Sequence, residues 1–305
     1  MALLSILKYS GSLKQSVMNG LRFSLISLCY VCFGFFTTVC FAVEHVAPLA
    51  KSAVIESDLN HWLPADTFIT IKDDEREIPV LYSEYMSHSK RGIIVMLPGI
   101  EQSPVQGNGL SYLREALNDD GYDTYVIPSP SFNHGPDLMK NAISSTDNED
   151  TNKATDVSVI SETALNDYKS ELVARFSALY KTLALRESEH IAILAFGNSA
   201  GLITEYLATL PNIRVDALIT VSAQLANPNR NKHLPASLSL VSPALLDVYY
   251  SYDNPAVLHT IKARRRWAKR NSKYDYRQRQ LFGQHTQERQ HQRLRKELSG
   301  FLRQL

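Results

Sequence analysis

The sequence predicts an α/β protein: a mostly parallel sheet with helices packed on both faces. Three observations carry that prediction. Residues 92–97, 190–196 and 217–221 are short, nearly continuous apolar runs, which suit strands covered on both sides. Between them lie stretches with apolar residues at three- and four-residue steps, the mark of amphipathic helices. The two kinds of segment alternate along the chain, and such alternation implies parallel strands joined by helical crossovers.

Taken in order, residues 68–72 and 78–82 flank the acidic turn Asp73-Asp74-Glu75 and read as an antiparallel pair. The run 92–97 is stopped by Pro98-Gly99. A helix follows on Leu110, Leu113 and Leu117 and ends at Gly121, before a strand over 123–127 that Pro128 stops. Residues 132–163 then break the rhythm. Their centre, Ser144 to Asn152, is polar and acidic and buries too little apolar surface to order itself, so the insertion reads as a mobile lid or as plain disorder. Leu165, Tyr168, Leu172, Phe176, Leu179 and Leu183 line one face of a long helix. After the strand at 190–196, a helix presents Leu202, Ile203, Tyr206, Leu207 and Leu210. Strands follow at 217–221 and 244–250, then a basic helical stretch over 255–271. A short strand at 276–281 and a last helix carrying Leu294, Leu298, Phe301, Leu302 and Leu305 complete the chain.

The N-terminus has a different character. Residues 23–42 contain no charge, Arg22 stands immediately before them, and Ala42 ends the run. A basic flank, an apolar core and a small terminal residue describe an export signal, with the mature chain beginning near Val43. The run also reaches the roughly 20 residues that span a bilayer, so an uncleaved anchor is the alternative. All three cysteines, Cys29, Cys32 and Cys40, lie inside it, which leaves no disulfide framework and no thiolate site in the rest of the chain. The expected organisation is therefore a signal or anchor over 1–42, a linker over 43–67 and one α/β domain over 68–305. The expected location is the periplasm, or the inner membrane facing it.

Chemistry concentrates in Gly197-Asn198-Ser199-Ala200-Gly201. This is a G-x-S-x-G pattern with an apolar strand before it and an amphipathic helix after it, the setting of a nucleophile on a sharp strand-to-helix turn. Ser199 is the candidate nucleophile; its bland alternative is a helix-capping serine. A serine needs a base, and the base needs an orienting acid. Asp253, just beyond the strand 244–250, and His285, between the last strand and the last helix, follow in that order. Asp253 has an alternative role as cap of the helix starting near Pro255, and His285 as cap of the last helix. Asp247 lies within its strand and reads as a buried structural carboxylate. His259 and His291, inside helices, read as solvated. For an oxyanion, the N–H groups of Ala200 and Ile100 are the candidate donors; Pro98 has none.

Net charge is +1, so no global field points to nucleic acid. No phosphate-binding or dinucleotide glycine motif and no H-E-x-x-H occurs, so no metal or cofactor is expected. Residues 262–270 hold Lys262, Arg264, Arg265, Arg266, Lys269 and Arg270 around Trp267. They read as a solvated helix face or as a contact for anionic lipid headgroups.

Leu97-Pro98-Gly99, Gly197 to Gly201, Leu246-Asp247-Val248-Tyr249 and Gly283-Gln284-His285 together resemble the α/β-hydrolase superfamily and, more narrowly, the DUF3530 family of bacterial proteins. The resemblance runs from about Phe68 to the C-terminus. It implies an eight-stranded sheet, a triad on Ser199, Asp253 and His285, and an envelope setting. Asn198 departs from the histidine frequent before the superfamily's serine, and Pro98 from the frequent His-Gly of the oxyanion loop. The resulting expectation is an exported serine hydrolase acting on a carboxylic ester, thioester or related acyl bond of a small, lipid-like substrate. The competing expectation is an inactive envelope protein that uses the same fold to bind a partner or lipid.

Overall fold

A computed structural model describes residues 51–73, 76–105, 109–132, 160–185 and 190–305. Its elements belong to one unit, Leu49–Leu305. In chain order they are α1 (Lys51–Trp62), a 3-10 turn (Ala65–Thr67), β1 (Phe68–Asp73), β2 (Arg76–Ser83), β3 (Gly92–Leu97), α2 (Gly109–Asp119) and β4 (Tyr122–Val126). There follow α3 (Glu162–Ala184), β5 (Ile191–Phe196), α4 (Gly197–Leu207), β6 (Ala217–Val221), α5 (Pro228–Asn231) and α6 (Leu234–Leu240). The remainder is β7 (Ala244–Tyr250), α7 (Pro255–Leu258), α8 (Ile261–Arg270), β8 (Tyr276–Leu281) and α9 (Glu288–Leu302).

The strands form one eight-stranded sheet in the order β1-β2-β4-β3-β5-β6-β7-β8. β2 is antiparallel to both of its neighbours, and every pairing from β4 to β8 is parallel. The period-two alternation of strands divides the core. Ile93, Val95 and Leu97 join Ile193 and Ala195 beneath α3, α4 and α6. Ile94 and Met96 join Leu194 and Ile219 beneath α1, α2 and α9. Both faces are thus covered, which is why these strands read as unbroken apolar runs rather than as alternating ones.

Several expectations change. The supposed linker 43–67 contains α1, whose Ile55 and Leu59 are buried against Leu81 and Met96. The basic stretch 255–271 is two helices, α7 and α8, separated at His259-Thr260. Asn254, not Asp253, caps α7, accepting from the Ala256 N–H at 2.8 Å. His291 is buried rather than solvated, with Nε2 2.8 Å from the His285 carbonyl. Of the insertion 132–163, residues 133–159 lie outside the described residues, while its ends Phe132 and Ile160 are buried in the core. The expected signal or anchor at 1–42 lies outside them too. Among the described residues no helix is long and apolar enough to cross a membrane.

Candidate active site

The site forms at the carboxyl ends of β3, β5, β6, β7 and β8, where open α/β sheets place their functional loops. At its centre β5 gives way to α4 without an intervening loop. Phe196 is still extended (φ −118°, ψ 142°), and α4 begins at the next residue. The backbone reverses at that residue, Gly197, with φ +53°. A side chain there meets nothing within 4 Å of its Cβ. The Phe196 carbonyl just before Gly197 lies 3.6 Å from a Cβ placed on Gly99, so the loop after β3 runs beside this turn. Gly197 therefore occupies the apex of the turn. Its flanks two residues away, Ala195 and Ser199, are the small, buried residues that such a turn requires.

Ser199 does not stand at that apex. That serine is the third residue of α4, lies outside the positive-φ set and is fully buried. Its Oγ is 3.0 Å from the Tyr168 hydroxyl of α3. Burial pushes the Tyr168 phenol up to about 12, against the smaller opposing effect of its hydrogen bond to Ser199. At neutral pH the group beside Ser199 is thus a neutral phenol that takes no proton from it. Ala200 lies further along the helix still. Three residues beyond Gly197, its N–H belongs to the helical ladder, and the free donors at the N-terminus of α4 precede it. Asn198 lies directly after the apex. Gly201 is needed for packing: a Cβ there falls 2.4 Å from the Gln224 carbonyl, so the loop after β6 docks directly on the first turns of α4.

The loop after β3 is a tight turn. Gln102 N–H donates to the Gly99 carbonyl at 3.0 Å, and Gly99 N–H donates to Gln102 Oε1 at 2.8 Å. Glu101 takes φ +56° within it. The Ile100 N–H has no hydrogen-bond partner among the described residues, so it is available as a donor beside the apex.

Asp253 follows β7 and His285 follows β8, on the loops the sequence placed them on. The Asp253 carboxylate is taken up locally: Oδ2 accepts from the Ser222 hydroxyl at 2.7 Å and from the Tyr250 N–H at 2.8 Å. The His285 ring is exposed, packs at 6.2 Å from the Tyr250 ring and makes no hydrogen bond among the described residues. Ser199, Asp253 and His285 are therefore not joined by hydrogen bonds. Ser222 was missed by sequence reasoning. It directly follows β6 with φ +53° and ties that loop to Asp253. A serine at a strand end carries no sequence signal for such a backbone. The buried carbonyl oxygens of the Asn198 and Gln224 side chains lack partners beside the apex. No cluster of three or more His, Cys, Asp or Glu suited to a metal occurs among the described residues.

The family model described as a protein of unknown function (DUF3530) matches residues 42–304. The chain belongs to the DUF3530 family. No curated protein matches it. Among solved structures, this DUF3530 protein is similar to a dienelactone hydrolase from Anabaena variabilis, at 13% identity and TM-score 0.52, over 78% of this chain and 96% of that one. An esterase domain from Rhodothermus marinus matches at 9% identity and TM-score 0.52, over 78% and 97%. The Xanthomonas campestris protein XC6422, described as an α/β serine hydrolase without a lid, matches at 12% and 0.50, over 79% and 96%. At such identities the likeness shows the fold: the DUF3530 domain has the α/β-hydrolase fold.

Proposed function

We propose that this DUF3530 protein is a non-catalytic member of the α/β-hydrolase fold, an exported envelope protein that binds rather than cleaves. One observation carries the reading: the apex of the elbow is Gly197, which has no side chain to attack an acyl carbon. Nucleophilic catalysis needs an activated group at that point, with a base in reach. Here the Ser199 hydroxyl faces a buried phenol, and the His285 ring packs against Tyr250 without a hydrogen bond to it. The fold alone does not supply the chemistry.

The serine-hydrolase alternative draws support from Asp253 and His285, which follow β7 and β8 in the order that triads of this fold use. It requires Ser199 to leave Tyr168 and the first turn of α4 to unwind until residue 199 reaches the apex. A fluorophosphonate probe and an ester panel of graded chain length separate the two readings. The non-catalytic reading expects no labelling and no turnover. Labelling of the wild-type protein that disappears in Ser199→Ala overturns it.

Export is part of the proposal and rests on the uncharged run 23–42 behind Arg22. N-terminal sequencing of the protein from cells is expected to begin near Val43, and an uncleaved start upstream of residue 23 points to an anchor instead.

A further inference from the structure

Charge is unevenly spread along this chain. Fourteen of its 32 Lys and Arg residues fall between 262 and 303, against three of its 31 Asp and Glu. The densest part is α8. Ile261, Arg264 and Ala268 are buried beneath it, whereas Lys262, Arg265, Arg266, Lys269 and Arg270 are all exposed. Arg264 alone among its cations is committed inward, to Asp247 at 2.8 Å. None of the five exposed cations takes part in an ion pair among the described residues, and α8 contains no acidic residue. A solvated helix face ordinarily interleaves both signs, which lowers self-repulsion and adds side-chain pairs three and four residues apart. This face does neither.

Aromatic and aliphatic side chains gather near the C-terminal end of α8. Trp267 is half-buried, with the Arg270 guanidinium 5.0 Å over its ring. Tyr274, four residues past the helix, is 93% exposed. The Asn271 side chain donates to Ser239 Oγ at 2.7 Å, which holds the end of α8 against the end of α6, where Leu240 is 59% exposed. The surface therefore combines a run of unpaired cations with protruding aromatic and aliphatic side chains, the composition of helices that lie in a lipid–water interface.

We infer that the α8 face, with Trp267, Tyr274 and Leu240 at its end, docks on an anionic phospholipid bilayer. Two features favour lipid over nucleic acid. The apolar side chains at the rim suit the acyl boundary, and the same chain carries twenty uncharged residues, 23–42, of bilayer-spanning length. The inference does not depend on whether the elbow is catalytic. The chain has two tryptophans, Trp62 and Trp267, so a full-length Trp62→Phe protein reports from Trp267 alone. Its emission is measured with vesicles of phosphatidylcholine, with and without phosphatidylglycerol. The expected result is a blue shift with phosphatidylglycerol vesicles at low salt, reversed by high salt, and little response to phosphatidylcholine alone. Each basic residue near such a surface contributes ~fivefold to partitioning. Replacing Lys262, Arg265, Arg266 and Lys269 by Gln should then weaken binding by several hundred-fold, with circular dichroism unchanged. Three outcomes overturn the inference: no shift with phosphatidylglycerol, an equal shift in the four-Gln variant, or tighter binding to duplex DNA than to vesicles.

Discussion

The Tyr168 hydroxyl and the Ser199 Oγ lie 3.0 Å apart in the buried contact between α3 and α4. Both residues are almost wholly removed from solvent, so Tyr168 satisfies a Ser199 hydroxyl otherwise stranded in the core, while Tyr168 itself has a second partner in Ser129. Ser199→Ala and Tyr168→Phe should each lower stability by about 1–2 kcal/mol, and the double variant by less than their sum. Urea unfolding followed by circular dichroism gives the coupling. A cycle with no coupling removes the structural role assigned to Ser199.

Gly197 and Gly201 stand four residues apart and should respond in opposite degree. At Gly197 the φ of +53° makes Ala unfavourable by about 1–2 kcal/mol, but no atom obstructs the new methyl. At Gly201 the methyl meets the Gln224 carbonyl at 2.4 Å and Leu225 at 2.8 Å, and relief requires moving backbone, at about 3 kcal/mol. Denaturation midpoints of the two Ala variants test the ranking.

Arg264 is buried and donates to Asp247, to Thr260 Oγ1 and to the Ala223 carbonyl. Asp247 also accepts from Thr220, Tyr276 and Gln278. This network fixes the loop after β6, whose Gln224 N–H donates to the Gly197 carbonyl at 3.1 Å. Arg264→Met strands a buried carboxylate and is expected to cost about 3–5 kcal/mol. Arg264→Lys should recover little, because a single ammonium does not reproduce the three directions of the guanidinium fork. Thermal and urea unfolding of both variants measure it.

Acid should weaken the fold through Glu205 and Asp120. Burial raises both carboxyl groups, yet hydrogen bonds outweigh it, from Arg230 and Lys169 to Glu205 and from Arg295 and Ser299 to Asp120. Both therefore titrate below their ordinary values in the folded state. A depressed carboxyl stabilises the fold above its unfolded value, about 4.3 for Glu, and loses that contribution as pH falls through the folded one. The urea midpoint of the wild-type protein should fall on acidification, with a shallower fall in Glu205→Gln. Parallel curves for the two proteins would remove Glu205 as a contributor.

Most of the sheet was legible in the sequence because its strands are buried on both faces and its helices are strongly periodic. Ile93-Ile94-Val95-Met96 admits one reading, and so does the Leu165–Leu183 spacing. α1 escaped notice because only Ile55 and Leu59 of its twelve residues are buried, too few to mark a face. The apex escaped notice because Gly197-Asn198-Ser199-Ala200-Gly201 satisfies a serine pattern while Ala195-Phe196-Gly197-Asn198-Ser199 satisfies the same small-x-apex-x-small spacing two residues earlier. The length of β5 distinguishes them. A strand that stays extended through Phe196 and passes straight into α4 leaves one residue to turn on, and that residue is Gly197. Tertiary partners such as Tyr168 for Ser199, 31 residues away, leave no local signature.

Placing a hydroxyl at the apex gives the sharpest test of that assignment. In Gly197→Ser the side chain projects into open space, beside the unpartnered Ile100 N–H and the N-terminus of α4, where developing negative charge is favoured. His285 lies on the loop after β8 with its ring exposed, and it is the base such a hydroxyl would call on. General-base assistance accounts for about 10²–10⁴ in rate. Even a fraction of that should make G197S label with a fluorophosphonate at least tenfold faster than the wild-type protein. Adding His285→Ala should remove the gain, whereas adding Ser199→Ala should not. If G197S folds and labels no faster than wild type, the apex and the imidazole are too far apart to cooperate. If the gain instead disappears with Ser199→Ala, the reacting hydroxyl is Ser199 and the apex has been misplaced by two residues.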